Sequence, residues 1–187
     1  MSPLPPLGFF AKPAGGGATA FESIATQSVT SGTAATITFS SIPGTYKHLE
    51  LRGIARVTGT SNEAVKINFN GDTGSNYAEH HLNGNGSSAV AGANSSYGSG
   101  AMYWGMGAPY TSNVFGGNIT TILDYANTSK YKTVRSLDGF DANGSGGIEL
   151  VSSLWQSTSA ITSITLTPNS GVSFNTYTHF ALYGIKG

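Results

Sequence analysis

The residues Asp141-Ala142-Asn143-Gly144-Ser145-Gly146 place oxygen side chains first, third and fifth, with a glycine sixth. That is the opening half of a calcium loop. The twelfth place is Ser152, so the bidentate carboxylate that completes such a loop is missing. Asp and Asn ahead of Gly also suit a tight β-hairpin, and the hairpin is the favoured reading. The four histidines are His48, His80, His81 and His179. His80 and His81 are adjacent, so on a strand they point to opposite faces. Two such side chains cannot share one metal, and no metal or other cofactor is expected. The nine carboxylates are scattered. A glycosidase pair could be assembled across strands, but their spacing does not specify one. Neither G-x-S-x-G nor H-E-x-x-H occurs. The expectation is a protein that is not an enzyme.

A second constellation is aromatic. Tyr97, Tyr103, Trp104 and Tyr110 follow a stretch rich in Gly, Ser and Asn. Their rings could stack on sugars. Tyr and Trp are also enriched at subunit interfaces, and that reading is favoured. Four more large apolar residues, Leu4, Leu7, Phe9 and Phe10, sit in a Pro-rich start. They cannot form a core alone, and disordered tails are usually poor in aromatics. The residues 1–18 are therefore read as an extended arm that docks on another protein, jointed by Gly15–Gly17.

Strands must position these groups. Lys47–Val57 alternates almost without error. Leu49, Leu51, Ala55 and Val57 share one face with Gly53; His48, Glu50, Arg52 and Arg56 share the other, where Ile54 is the exception. Period-two alternation means one dry face and one wet face, and the dry face needs a second layer. Ten further strands are predicted near 21–30, 35–41, 64–70, 76–82, 101–106, 118–125, 131–137, 148–155, 161–167 and 176–185. Ile148, Leu150 and Leu154 share a face opposite Glu149 and Ser153. Residues 83–100 lack a pattern and read as a long exposed loop. Residues 124–132 could hold a single helical turn. Many short strands with turn residues between them predict an all-β, two-sheet sandwich of jelly-roll type over residues 19–187.

Composition narrows the class. Charged residues make up only 10% of 187, with formal net charge zero, which argues against nucleic acid as a partner. There is no cysteine, so stability outside a cell would rest on packing or oligomerisation. No apolar run is long enough to span a bilayer. The N-terminus lacks a basic start and an apolar core, so it does not read as a signal peptide.

Several phrases carry a resemblance: AFESIATQSVTSG, ITFSSIPGTYKHLELRGIAR, INFNGDTGSNYAEHHL, ILDYANTSKYKTVRSLDGFD, SSLWQSTSAITSITLTP and FALYGIKG. Together they span Ala20 to Gly187. They resemble a family of phage structural modules found at the ends of tail-fibre-like proteins or as small virion proteins. The resemblance implies a non-enzymatic virion component, commonly a homotrimer, made in the host cytoplasm and released by lysis. It implies other virion proteins as partners through the arm, with a host surface glycan as a candidate ligand. The chain has no fibre shaft ahead of the sandwich, only the short arm. Two placements follow: a tail or fibre adhesion module exposing 83–110, or a head decoration protein cementing the shell.

Overall fold

The alternation of Lys47–Val57 becomes β4 (His48–Ala55). Leu49, Leu51 and Val57 are fully buried and Ala55 nearly so, while Arg52 and Ile54 face out. Gly53 keeps register on the dry face for a steric reason. A Cβ there would fall inside the ring of Phe180, its cross-strand neighbour. The computed structural model describes residues 20–105 and 112–187, without the side chains of 101–105.

The other strands are β1 (Phe21–Ser28), β2 (Thr33–Ala34), β3 (Ile37–Phe39), β5 (Glu63–Phe69), β6 (Tyr77–Gly84), β7 (Ala89–Tyr97), β8 (Gly100–Gly105), β9 (Gly116–Leu123), β10 (Lys132–Asp141), β11 (Gly146–Trp155), β12 (Ile164–Pro168), β13 (Phe174–Asn175) and β14 (His179–Ile185). An eight-stranded sheet runs β1-β14-β4-β9-β10-β11-β6-β7, and a four-stranded sheet runs β3-β12-β5-β8. A two-stranded piece, β13-β2, closes one end. Every pairing is antiparallel. The described residues contain no helix. The protein is an all-β, two-sheet sandwich, as its alternation predicts.

Its core lies between the sheets. Leu49, Leu51, Ile122 and Leu182 from the larger sheet meet Phe39, Ile67, Ile164 and Leu166 from the smaller one, all essentially inaccessible. The eleven expected strands all occur, with shifted ends. The loop expected over 83–100 does not: residues 89–97 form β7, paired along β6. Asn85 Oδ1 accepts the Ser87 and Ser88 amides and shapes the turn between them. As an edge strand, β7 carries only Val90 and Tyr97 as large apolar side chains, both about half exposed, and its backbone pairing with β6 defines it. Residues 124–132 hold a turn closed by the Asn127 amide on the Asp124 carbonyl at 2.9 Å.

One alternation is inverted. Ile148 and Leu150 are 59% and 53% exposed, whereas Glu149 and Ser153 on the opposite face are 3% and 5% exposed. On β10, Ser136 and Asp138 are buried while Leu137 is half exposed. The sheet keeps its period, but here its polar face turns inward, where β8 packs across β9, β10 and β11.

Candidate functional site

The expected site residues part company in the structure. Leu4, Leu7, Phe9, Phe10 and Tyr110 lie outside the described residues. Tyr103 and Trp104 fall on β8. Tyr97 ends β7 and is half exposed. Residues 141–146 form the β10–β11 hairpin. There the Ala142 amide meets the Ser145 carbonyl at 2.7 Å, and Asn143 and Gly144 take the positive φ values of 58° and 108°. Asp141 Oδ1 accepts the Asn143 amide at 2.8 Å. His80 points outward and His81 inward from β6, as adjacency requires. Among the described residues no group of three His, Asp or Glu could hold a metal ion.

Tyr97 borders a groove of about 630 Å³, within the range of small-molecule sites, about 300–1,000 Å³. Its lining comes from three directions. Alternation on β5 turns Lys66 and Asn68 to the outer side of the smaller sheet, and β12 adds Thr167 beside Lys66. The β6–β7 hairpin contributes Glu79 and Asn94, which are cross-strand partners. Asn94 Nδ2 donates to Glu79 Oε1 at 2.9 Å, fixing a carboxylate that is only 6% exposed. Asn68 Nδ2 donates to the Asp72 and Gly98 carbonyls at 2.8 and 2.7 Å, which ties the strap after Tyr97 to β5. The groove therefore holds fixed amide and carboxylate groups, one ammonium and one aromatic ring. Vicinal hydroxyls suit such planar polar groups, and a ring's C–H face suits Tyr97.

The inverted strands create a second surface. Register places Arg52, Ile119, Leu137, Leu150 and Leu82 side by side across β4, β9, β10, β11 and β6. The four aliphatic side chains are 45–53% exposed. The next row along the strands reads Ile54, Gly117, Gly139, Ile148 and Gly84. A ridge thus runs beside a trough, and the trough is a shallow hollow of about 650 Å³.

Beneath this face lies the buried polar layer. Asn118 Nδ2 donates to Ser136 Oγ at 2.9 Å, Thr120 Oγ1 lies 3.0 Å from Ser136 Oγ, and Ser136 Oγ lies 3.2 Å from Asp138 Oδ2. Asp138 and Glu149 are direct cross-strand partners, each 3% exposed. They face the interior, away from both surfaces described above. Sequence reasoning singled out Tyr97 but not Lys66, Asn68, Glu79 or Asn94. These sit on separate strands, and only their alternation phase, joined to the sheet order, brings them together. Searches against protein-family models, curated proteins and solved structures found nothing that matches this chain.

Proposed function

We propose that this chain is a non-enzymatic bacteriophage virion surface protein, a binding module of tail or fibre type, homotrimeric as the resemblance implies, held to the particle by Leu4, Leu7, Phe9 and Phe10 of its arm. The resemblance supplies the virion context. The strand order supports a jelly roll: β1-β14-β4-β9 over β3-β12-β5-β8 are, within that set of eight, strands 1-8-3-6 over 2-7-4-5, the order made by folding one long hairpin over itself. In this reading β6–β7 and β10–β11 are additions that widen one sheet.

The observation that carries the binding role is the Lys66–Glu79–Asn94–Tyr97 groove. Its groups suit a saccharide, so a host surface glycan is the proposed ligand. Head decoration is the second reading, favoured by the aliphatic ridge, which suits a part that packs against protein. Gold-labelled antibody on purified particles tests both. Label at the tail or fibre supports the first, label over the head supports the second, and unlabelled particles retire the virion reading. Incubation with capsular polysaccharide tests the non-enzymatic claim, because released oligosaccharide would overturn it.

A further inference from the structure

The ridge and trough on the outer face of the larger sheet ask for a partner. Four half-exposed aliphatic residues in one contiguous row are rare on a surface that stays in water. Gly117 adds a separate clue. A Cβ at Gly117 would meet nothing within 4 Å, and its φ is not in the left-handed region. Nothing among the described residues requires a glycine there, and glycine inside a strand weakens it. A close approach by another molecule gives that glycine a purpose.

We propose that this face pairs with the same face of a second copy, related by a half-turn about a line in the interface midway between the two rows. The proposal rests on the self-association in the reading above but departs from its trimer, because a half-turn relates two copies, and it names the seam. A half-turn about that line exchanges the rows strand by strand. Ile119 then meets the partner's Gly117, Leu137 meets the partner's Gly139, and Leu82 meets the partner's Gly84. Each ridge drops into the other trough, and Leu150 rests on the partner's Ile148.

The charges fit the same operation. Two residues before Leu137 on β10 is Arg135, and two residues after Gly139 is Asp141; both are exposed and both lie on the outer face. The half-turn sets Arg135 opposite the partner's Asp141, and Asp141 opposite the partner's Arg135. Arg135 has no ion-pair partner among the described residues. Strand spacing of about 4.8 Å and a two-residue step of about 6.8 Å give the three rows carried by all five strands, with the fourth row on β10 and β11 alone, a flat area of about 550 Å² per copy. The pair therefore buries about 1,100 Å², close to the roughly 1,000 Å² a stable interface needs.

Full-length chain at micromolar concentration, measured by light scattering and native mass spectrometry, tests the seam. The expected mass is two chains. Leu137→Asp is exposed and leaves the circular dichroism unchanged, but it weakens association by at least about tenfold. Arg135→Asp and Asp141→Arg each weaken it, and the double exchange restores it. A single-chain mass, a three-chain mass, or no restoration in the double exchange overturns the proposal. A three-chain mass with gold-labelled particles would overturn the seam alone and leave the virion reading standing. A two-chain mass with unlabelled particles would do the reverse.

Discussion

Trp155 donates its indole Nε1–H to Asp72 Oδ2 at 2.7 Å, joining the end of β11 to the turn after β5. The same carboxylate accepts the Gly74 amide at 2.9 Å and Asn76 Nδ2 at 3.0 Å. Trp155 is 2% exposed, stacked on Tyr77 and tilted against Phe69. These donors, Trp155 foremost, hold the Asp72 carboxyl below its ordinary range. Replacing Asp72 with Ala leaves a buried indole N–H without its acceptor. The expected loss is about 1–3 kcal/mol in urea unfolding, with a shift in tryptophan emission. Unchanged stability would show that the bond contributes nothing net.

Lys132 is a buried cation with no carboxylate beside it among the described residues. Its Nζ donates to the carbonyls of Asn127 at 2.7 Å, Lys130 at 3.0 Å and Thr158 at 3.2 Å. Burial lowers its pKa. Lys132→Met keeps the stem but strips the donor from those carbonyls, and it should cost about 1–3 kcal/mol. Thermal unfolding measures it. A variant as stable as the parent would mean water replaces the ammonium without penalty.

Leu51 is fully buried on β4, an interior strand of the larger sheet. Leu51→Asp places an unpaired carboxylate in the core, costing several kcal/mol, of the order that abolishes folding in a small domain. Loss of the β-type circular dichroism or of soluble protein is expected. A soluble, stable variant would reverse the assignment of inside and outside on β4.

Asp124 adds to acid stability. Lys130 and Lys47 pair with its two oxygens, with Lys47 Nζ at 2.8 Å, and hold its pKa at about 2 against an ordinary 3.8. A carboxyl depressed in the folded state stabilises above its unfolded pKa and loses that contribution as pH falls through the folded value. Stability should therefore fall between about pH 4 and pH 2. Asp124→Asn, which also tolerates the residue's φ of 47°, should flatten that part of a chemical-denaturation series run against pH. A profile identical to the parent would exclude this carboxyl as its source.

Alternation made the sandwich legible wherever one face met the apolar core, as at Leu49 and Leu51 on β4 or Ile67 and Phe69 on β5. It could not show which face was inner at Ile148 and Leu150, because period fixes that faces differ, not which one is covered. There the covering element is β8, far off in sequence. β7 escaped notice because an edge strand with solvent on both sides leaves no apolar signature. Tyr97 was visible as an aromatic. Its companions in the groove were ordinary polar residues until the sheet order set them together. Lys132 carried no signal, since nothing in a sequence announces a cage of carbonyls.

The β6–β7 hairpin sits at the far margin of the larger sheet and ends in a turn organised by Asn85 alone. Chain spliced in at that tip need not disturb the packed centre, so the molecule comes with a built-in display platform. Sequence variation, or a peptide an engineer wishes to display, has a natural home there.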